Sequence, residues 1–213
     1  YSRKSVEIES GVTVLVGCNG SGKTTLMQFI KSDLKRNEIP YIKFNNLCDG
    51  GSQARSAALF HEDYAFAATS ACSSEGENIS MNIVQISKRI VYFMKYGEED
   101  DKFNKLNKMM NELARDEDEE SSDAKEPVKE RWILLDAIDS GYSIDNILDL
   151  KEYFLKPVLE HGYGNEVYII ISANSFEMAN GEQCLDVYNG EYVTFKDYEE
   201  YKEFILKTRE RKD

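Results

Sequence analysis

The pattern of apolar and polar positions predicts strands that alternate with helices. Near-continuous apolar runs occur at "VTVLVG" (12–17), "RWILLD" (131–136) and "EVYIIISA" (166–173), and they are rich in Ile, Leu and Val. Such runs are typical of parallel strands that are covered on both faces. Polar turns and amphipathic stretches separate them, so the sequence favours an α/β fold with a mixed, mainly parallel sheet flanked by helices.

Turn chemistry and helical periodicity place the remaining elements. A turn at Ser10-Gly11 would separate a short first strand from the first apolar run, and Asn189-Gly190 is a strong signal for a β-hairpin. Amphipathic stretches with helical spacing are expected to form helices. The further predicted segments are a helix at 24–36, a strand at 39–46, a long helix at 80–94, a hairpin at 184–195 and a C-terminal helix at 196–212.

Residues 97–130 are predicted to form an insertion within a single domain that spans residues 1–213. One helix is expected there, because apolar residues recur at helical spacing. Its apolar stripe consists of Phe103, Leu106, Met110 and Leu113. The run "DEDEESSD" (116–123) that follows predicts a mobile acidic loop, because its like charges repel and it has no apolar side chain to bury.

Composition and charge narrow the range of partners and locations. Hydrophobic residues make up 41% and charged residues 31% of the chain, and the four cysteines have no metal-ligand spacing. With no long apolar run and no apolar signal region, a cytoplasmic protein with reduced thiols and no membrane partner is expected. The net charge of −13 argues against a broad basic surface, so direct nucleic-acid binding would require a local patch or a partner protein.

A glycine-rich segment after the first apolar run has the spacing of a phosphate-binding loop. Gly17-x-x-x-x-Gly22-Lys23-Thr24 matches the Walker A pattern between a predicted strand and a predicted helix. Glycines let successive backbone N–H groups surround a phosphate, and the helix N-terminus favours anions. Lys23 would reach the β- and γ-phosphates of a nucleotide, and the hydroxyl of Thr24 would bind Mg²⁺.

A magnesium site next to Thr24 also requires a carboxylate. Asp136 ends the apolar run "RWILLD", which is the position of a Walker B aspartate. An aspartate at a strand end could instead cap the loop that follows it. The Walker A pattern upstream favours the metal role, so Thr24 and Asp136 are the predicted Mg²⁺ ligands.

Three motifs together resemble those of ABC-type ATPases. "GCNGSGKTT" (17–25), with Asn19 and the doubled threonine, is similar to their phosphate loop, and "CSSEGEN" (72–78) resembles their signature motif. "DAIDSGYSID" (136–145) resembles their Walker B and D-loop sequence. The resemblance covers about residues 2–195 and is closest to the SMC- and RecF-like branch and to compact stand-alone ATPases of phage and bacteria.

The resemblance implies a three-layer P-loop NTPase fold of the ABC type and an ATP-dependent switch. Two copies would bind ATP head to tail, and each signature motif would contact the γ-phosphate held by the other copy. An effector or DNA-processing protein would be the partner, in DNA repair or in phage and defence processes. The cofactor-binding residues that it implies are Gly17, Asn19, Gly20, Ser21, Gly22, Lys23, Thr24, Thr25, Ser74, Gly76 and Glu77.

Two departures from the family pattern concern catalysis. The glutamate expected after Asp136 is Ala137, and the expected switch histidine is Asn174. Asp139 is the candidate for orienting the attacking water, and Glu77 of a second copy or another protein is the alternative. Asn174 would hydrogen-bond to the γ-phosphate or to the water but cannot act as a base. Hydrolysis is therefore expected to be slow, with Lys23, Asp139 and Asn174 as the catalytic residues.

Two other functions are compatible with a phosphate-binding loop. Ala137 suggests a regulatory module that binds ATP without hydrolysing it. A nucleotide kinase shares the Walker A pattern but needs a lid that carries arginines, and only Arg55 and Arg89 are candidates in the middle of the chain. "DSGYSID" would have no role in a kinase, so the kinase is the least favoured alternative.

Overall fold

The computed structural model describes residues 6–45, 75–98 and 128–211, with only the backbone described for residues 75–82 and 85. Strands and helices alternate through most of these ranges. The strands are β1 (Gly11–Val16), β2 (Tyr41–Asn45), β3 (Glu130–Asp136), β4 (Glu166–Ser172), β5 (Gln183–Asp186) and β6 (Glu191–Val193). The α-helices are α1 (Lys23–Arg36), α2 (Glu75–Tyr96), α3 (Ile144–Leu150), α4 (Lys156–His161), α5 (Phe176–Ala179) and α6 (Tyr198–Glu210).

The six strands form one sheet in the order β2-β3-β4-β1-β5-β6. The first five strands in this order pair in parallel, and only the β5–β6 pair is antiparallel. The central strands β3, β4 and β1 are the predicted apolar runs, and most of their residues are buried. The predicted α/β class with a mixed, mainly parallel sheet is therefore confirmed.

Helix α1 covers one face of the sheet. Met27 and Leu34 of α1 pack with Leu15 of β1, Leu134 of β3 and Ile170 of β4. Each fully buried Leu, Ile or Met side chain contributes about 1.5–3 kcal/mol through the removal of apolar surface from water. This packing fixes α1, and with it the segment between β1 and α1, above the centre of the sheet.

The other helices pack on the opposite face. On that face the larger of the two hydrophobic clusters joins Val14 of β1 and Ile133 of β3 to helical residues. These are Phe93 of α2, Leu150 of α3 and Tyr201 of α6. Successive strand residues point to opposite faces, so alternate positions of each strand supply the two clusters. Helices therefore flank the sheet on both sides, as predicted.

The helices between β3 and β4 were not predicted from the sequence. Residues 144–161 stay helical through a π-helical turn, Lys151–Leu155, which joins α3 to α4. Pro157 lies just after this turn and has no N–H to donate, so a regular i to i−4 ladder is interrupted there. Exposed apolar side chains at Ile144, Leu148 and Tyr153 weaken the amphipathic pattern that would have indicated a helix.

Most of the other boundaries agree with the sequence predictions, with two corrections. The hairpin at Asn189-Gly190 is confirmed, with Gly190 in the left-handed region at φ +67°. The helix predicted at 80–94 begins earlier, at Glu75. The predicted short N-terminal strand is wrong, because residues 6–9 form no strand; instead, the Tyr192 hydroxyl donates to the carbonyl of Glu7 over 3.3 Å.

The predicted insertion at 97–130 falls mainly on residues 99–127, which lie outside the described residues. Its last predicted residue, Glu130, is already the first residue of β3. Within the described ranges, no helix combines the length and apolar character needed to cross a membrane.

Candidate functional site

At the carboxyl ends of four neighbouring parallel strands, one residue of each strand lies side by side with the next. In the sheet register, Asn45 of β2 is opposite Asp136 of β3, Asp136 is opposite Ser172 of β4, and Ser172 is opposite Leu15 of β1. The loops after these strands leave from the same edge. In open α/β sheets ligands bind at this edge, so it is the first place to examine for a functional site.

The Walker A segment forms a tight loop directly after β1. Gly17, Gly20 and Gly22 have φ values of +149°, +75° and +103°, which L side chains rarely adopt. The N–H of Ser21 donates to the carbonyl of Cys18 over 3.1 Å and closes the turn. A Cβ atom on Gly17 would lie 2.6 Å from Ser21 Oγ, so a larger residue at position 17 would force the neighbouring atoms to shift.

Helix α1 begins at Lys23, immediately after this loop, and its N-terminus is suited to an anion. Gly22 is the N-cap residue, no side chain caps the helix, and the first turn contains no acidic residue. The first N–H groups of a helix have no partner within the helix and carry partial positive charge. The loop and the start of α1 therefore present backbone donors to a phosphate-sized anion.

The Lys23 ammonium lies inside the loop. Its side chain is buried, and Nζ donates to the carbonyls of Gly17 over 2.6 Å and Cys18 over 3.2 Å. Burial lowers the pKa of Lys23, and interactions with Cys18, Asp139 and Asp136 act in the opposite direction. Lys23 is thus a partly desolvated cation whose charge interacts with two carboxylates.

Asp136 collects contacts from three neighbouring elements. Oδ1 accepts from Ser172 Oγ over 2.6 Å and from Thr24 Oγ1 over 3.3 Å. Oδ2 accepts from Asn45 Nδ2 over 3.2 Å and lies 3.7 Å from Lys43 Nζ. The residue is only 1% exposed, so these donors and the Lys43 ammonium replace the water that the buried carboxylate has lost.

The structure brings the two predicted metal ligands together. Thr24 and Asp136 are 112 positions apart in sequence and are in direct contact. The alternative role of Asp136, capping the loop that follows it, would require its carboxylate to accept from N–H groups of that loop. The first of these, the Ala137 N–H, donates to Ser172 Oγ over 3.0 Å instead. Among the residues that the structure describes, no group of three His, Cys, Asp or Glu side chains could hold a metal.

Sequence reasoning missed Lys43, Asn45 and Ser172 as neighbours of Asp136. Asn45 and Ser172 are the last residues of β2 and β4. A polar residue at the end of a predicted parallel strand was the available signal, because such ends meet at one edge of the sheet. Lys43 gave no comparable signal, since its position beside Asp136 depends on the order of the strands.

Asp139 joins the loop after β3 to the loop after β4. Its Oδ2 accepts from the backbone N–H groups of Asn174 and Ser175, each over 2.8 Å. Its Oδ1 is buried and has no hydrogen-bond partner within the described part of the chain. Asn174 is exposed. Asp139 and Asn174, two of the three predicted catalytic residues, are therefore adjacent, and one carboxylate oxygen of Asp139 holds the backbone at Asn174.

Ala137, where the resemblance predicts a glutamate, has a strained backbone. Its φ of +53° lies in the left-handed region, where a residue with a Cβ costs about 1–3 kcal/mol. The N–H of Ser140 donates to the Ala137 carbonyl over 3.1 Å and closes a turn there. The strain is maintained by this turn and by the bond from Ala137 to Ser172, so the direction of the chain after Asp136 is fixed.

The remaining predicted residues are placed as follows. Asn19, Gly20, Thr24 and Thr25 are exposed on the loop and the start of α1. Gly76 and Glu77 lie in the first turn of α2, where only the backbone is described. Ser74, immediately before α2, lies outside the described residues.

Gly17→Ala is expected to destabilise the protein more than Gly11→Ala. Both glycines have positive φ, but a Cβ at Gly11 has no atom within 4 Å, whereas one at Gly17 would meet Ser21 and Val187. The overlap is expected to lower the free energy of unfolding of Gly17→Ala by about 1–3 kcal/mol more than that of the control. Urea denaturation measures the difference, and equal values would contradict the described loop packing.

Comparison of the sequence with models of known protein families and with curated proteins finds no match. The functional assignment therefore depends on the motifs and on the contacts between them. Of these contacts, the one between Thr24 and Asp136 joins two motifs that the sequence places far apart.

Proposed function

We propose that this protein is an ABC-type P-loop ATPase that binds ATP with Mg²⁺ and hydrolyses it slowly. The observation that carries the proposal is the 3.3 Å contact between Thr24 Oγ1 and Asp136 Oδ1 at the carboxyl edge of a parallel sheet. It unites the Walker A hydroxyl and the Walker B carboxylate, which are the two protein groups that such ATPases use around the metal.

The loop fits the phosphates of a nucleotide. Its backbone N–H groups and the uncapped start of α1 are donors for phosphate oxygens. Lys23 donates to carbonyls of the same loop, and the proposed role of its ammonium is to bind the β- and γ-phosphates instead. The partly desolvated ammonium would interact strongly with an anion, because the local dielectric is lower than that of water.

Thr24 and Asp136 also fit Mg²⁺. Magnesium in nucleotide sites is usually held by one or two carboxylates together with phosphate oxygens and waters, so a larger cluster of protein ligands is not required. One hydroxyl and one carboxylate oxygen lie side by side here. When bound, the metal would neutralise phosphate charge, while Asn45 and Ser172 keep the Asp136 carboxylate oriented.

Asp139 is the proposed group that orients the attacking water. Ala137 has no functional group, whereas the buried Oδ1 of Asp139 has no partner in the described part of the chain and its charge interacts with Lys23. Oδ2 is occupied by two backbone N–H groups. Only one of the two carboxylate oxygens of Asp139 is therefore left to contact a water, which is consistent with slow turnover.

The proposed active form is a head-to-tail homodimer. Ser74, Gly76 and Glu77 of one copy would contact the γ-phosphate held by the other copy. The N-terminus of α2 at Glu75 supports this, because Gly76 and Glu77 then lie in a first helical turn, where anions are favoured. The resemblance further suggests an effector or DNA-processing partner, with a task in DNA repair or in phage and defence processes.

An ATP-binding regulatory module that does not hydrolyse is the second candidate, and Ala137 is the observation that favours it. A nucleotide kinase is less well supported. Of the two arginines considered for a lid, Arg89 lies with its guanidinium 4.4 Å from the centroid of the buried Phe44 ring. A guanidinium packed on a core ring is poorly placed to move onto a phosphate.

Lys23→Ala is expected to weaken ATP binding by about 10- to 100-fold, because a hydrogen bond to a charged group contributes about 1.5–3 kcal/mol. Isothermal titration calorimetry with Mg·ATP measures the affinity. Lys156→Ala is the control, because Lys156 is a solvent-exposed lysine paired with Glu152 over 2.9 Å. Unchanged affinity in Lys23→Ala would remove the basis of the proposed function.

Asp139→Asn is expected to lower kcat by about 10²- to 10⁴-fold with little change in ATP affinity. The amide oxygen of asparagine still accepts from the N–H groups of Asn174 and Ser175, so the loop is retained. Ala137→Glu is measured alongside it. Its kcat should change little if Asp139 already orients the attacking water. Phosphate release measures both; a strong gain in Ala137→Glu with no loss in Asp139→Asn would exclude Asp139.

Ser74→Arg is expected to block ATP-driven dimerisation while the monomer still binds ATP. A long cation at the proposed signature would prevent the close approach of the two copies. Size-exclusion chromatography with light scattering, with and without Mg·ATP, measures the mass, and Ser121→Arg in the acidic run is the control. A wild-type chain that remains monomeric with ATP would contradict the head-to-tail dimer while leaving ATP binding intact.

A further inference from the structure

Helix α6 contacts both loops of the candidate site, although the two α6 residues that make these contacts lie outside the sequence motifs. Thr208 reaches the phosphate loop, and Tyr201 reaches the loop after β4 that contains Asn174. Both residues are buried. They lie seven positions apart, which is two helical turns or about 10 Å along one face. A single rigid element therefore spans the two loops.

Thr208 holds the beginning of the phosphate loop. Its hydroxyl donates to the carbonyl of Ile205 over 2.8 Å, which directs an oxygen lone pair towards the loop. That oxygen accepts from the backbone N–H of Cys18 over 3.1 Å. Cys18 is buried, so this N–H needs a protein partner. Thr208 supplies it from 190 positions further along the chain.

Tyr201 holds the Asn174 loop through the Asn174 carbonyl, whereas Asp139 holds it through the N–H. Its hydroxyl donates to the Asn174 carbonyl over 3.0 Å, while Asp139 accepts from the Asn174 N–H over 2.8 Å. Burial, with a further contribution from the nearby Asp139, raises the pKa of Tyr201, so the hydroxyl keeps its proton. The backbone at Asn174 is thus held at both its N–H and its carbonyl.

Apolar packing, rather than the two hydroxyls, fixes α6 to the core. Tyr201 belongs to the larger core cluster, and Phe195, Phe204 and Ile205 pack against that cluster. The Phe195 ring lies 5.1 Å from the Tyr201 ring and 5.2 Å from the Phe204 ring, centroid to centroid. The helix can therefore remain in place when a hydroxyl is removed. A variant that lacks one hydroxyl then tests how that hydroxyl positions its loop, without detaching the helix.

We infer that Tyr201 and Thr208 are positioning residues for ATP turnover, with α6 as the brace that sets the phosphate loop and the Asn174 loop relative to each other. The inference rests on the proposed function. Thr208 acts through Cys18 on the phosphate loop and should affect ATP binding. Tyr201 acts through Asn174, beside Asp139, and should affect the rate at saturating ATP.

The test removes one hydroxyl at a time from the full chain. Thr208→Val should raise the Kd for Mg·ATP by about 3- to 10-fold, and Tyr201→Phe should lower kcat by about 3- to 10-fold with an unchanged Kd, since one hydrogen bond is lost in each. Thr208→Ser, which keeps the hydroxyl, should have the wild-type Kd. Thr194→Val and Tyr198→Phe make the same changes at exposed positions and serve as controls.

Amide hydrogen exchange without nucleotide gives a second measurement that does not depend on ATP. Exchange at Cys18 should accelerate in Thr208→Val, and exchange at Asn174 and Ser175 should accelerate in Tyr201→Phe. If the wild-type chain binds no ATP, the proposed function fails, and the positioning role fails with it even where exchange changes. If the wild type binds ATP but the variants match the controls in Kd, kcat and exchange, the positioning role alone is overturned.

Discussion

The parallel register of the central strands is the constraint on which the rest of the site depends. Neighbouring strands lie about 4.8 Å apart, and β4 separates β3 from β1, so the ends of β3 and β1 are about 10 Å apart. Thr24, at the start of α1, meets Asp136 across this gap, and Ser172 at the end of β4 also bonds to Asp136. A one-residue slip of β3 would turn Asp136 to the other face of the sheet and remove these contacts.

Charge in the site is balanced within a small buried region. Lys43 lies 3.7 Å from Asp136, and the charge of Lys23 interacts with both Asp136 and Asp139. A buried charge is costly unless it is paired and hydrogen-bonded, and Asp136 meets both conditions. The site is thus held in place by its own contacts, and a nucleotide would find the hydroxyl, the ammonium and the carboxylate close to their proposed working positions.

Sequence patterns predicted the parts of the fold that depend on local chemistry. Apolar runs gave the buried strands β1, β3 and β4, Asn189-Gly190 gave the hairpin, and glycine spacing gave the loop before Lys23. The helical stretch at 144–161 was missed because Leu148 and Tyr153 expose apolar side chains and Pro157 interrupts the pattern. Asn45 and Ser172 could have been placed at the edge of the sheet as polar strand ends, but their contact with Asp136 also depends on which strands pair.

The same limit applies to Asp139, whose position near the site was expected but whose bonds to the Asn174 loop were not. These bonds change how slow hydrolysis would be explained. The Asn174 backbone is fixed by Asp139 at its N–H and by Tyr201 at its carbonyl, residues that come from different parts of the chain. A loop held in this way is already ordered, so binding of ATP would not have to pay for ordering it. In the proposed ATPase the low rate would then come from a carboxylate that already uses one oxygen to accept two backbone N–H groups, together with the absence of a glutamate at Ala137.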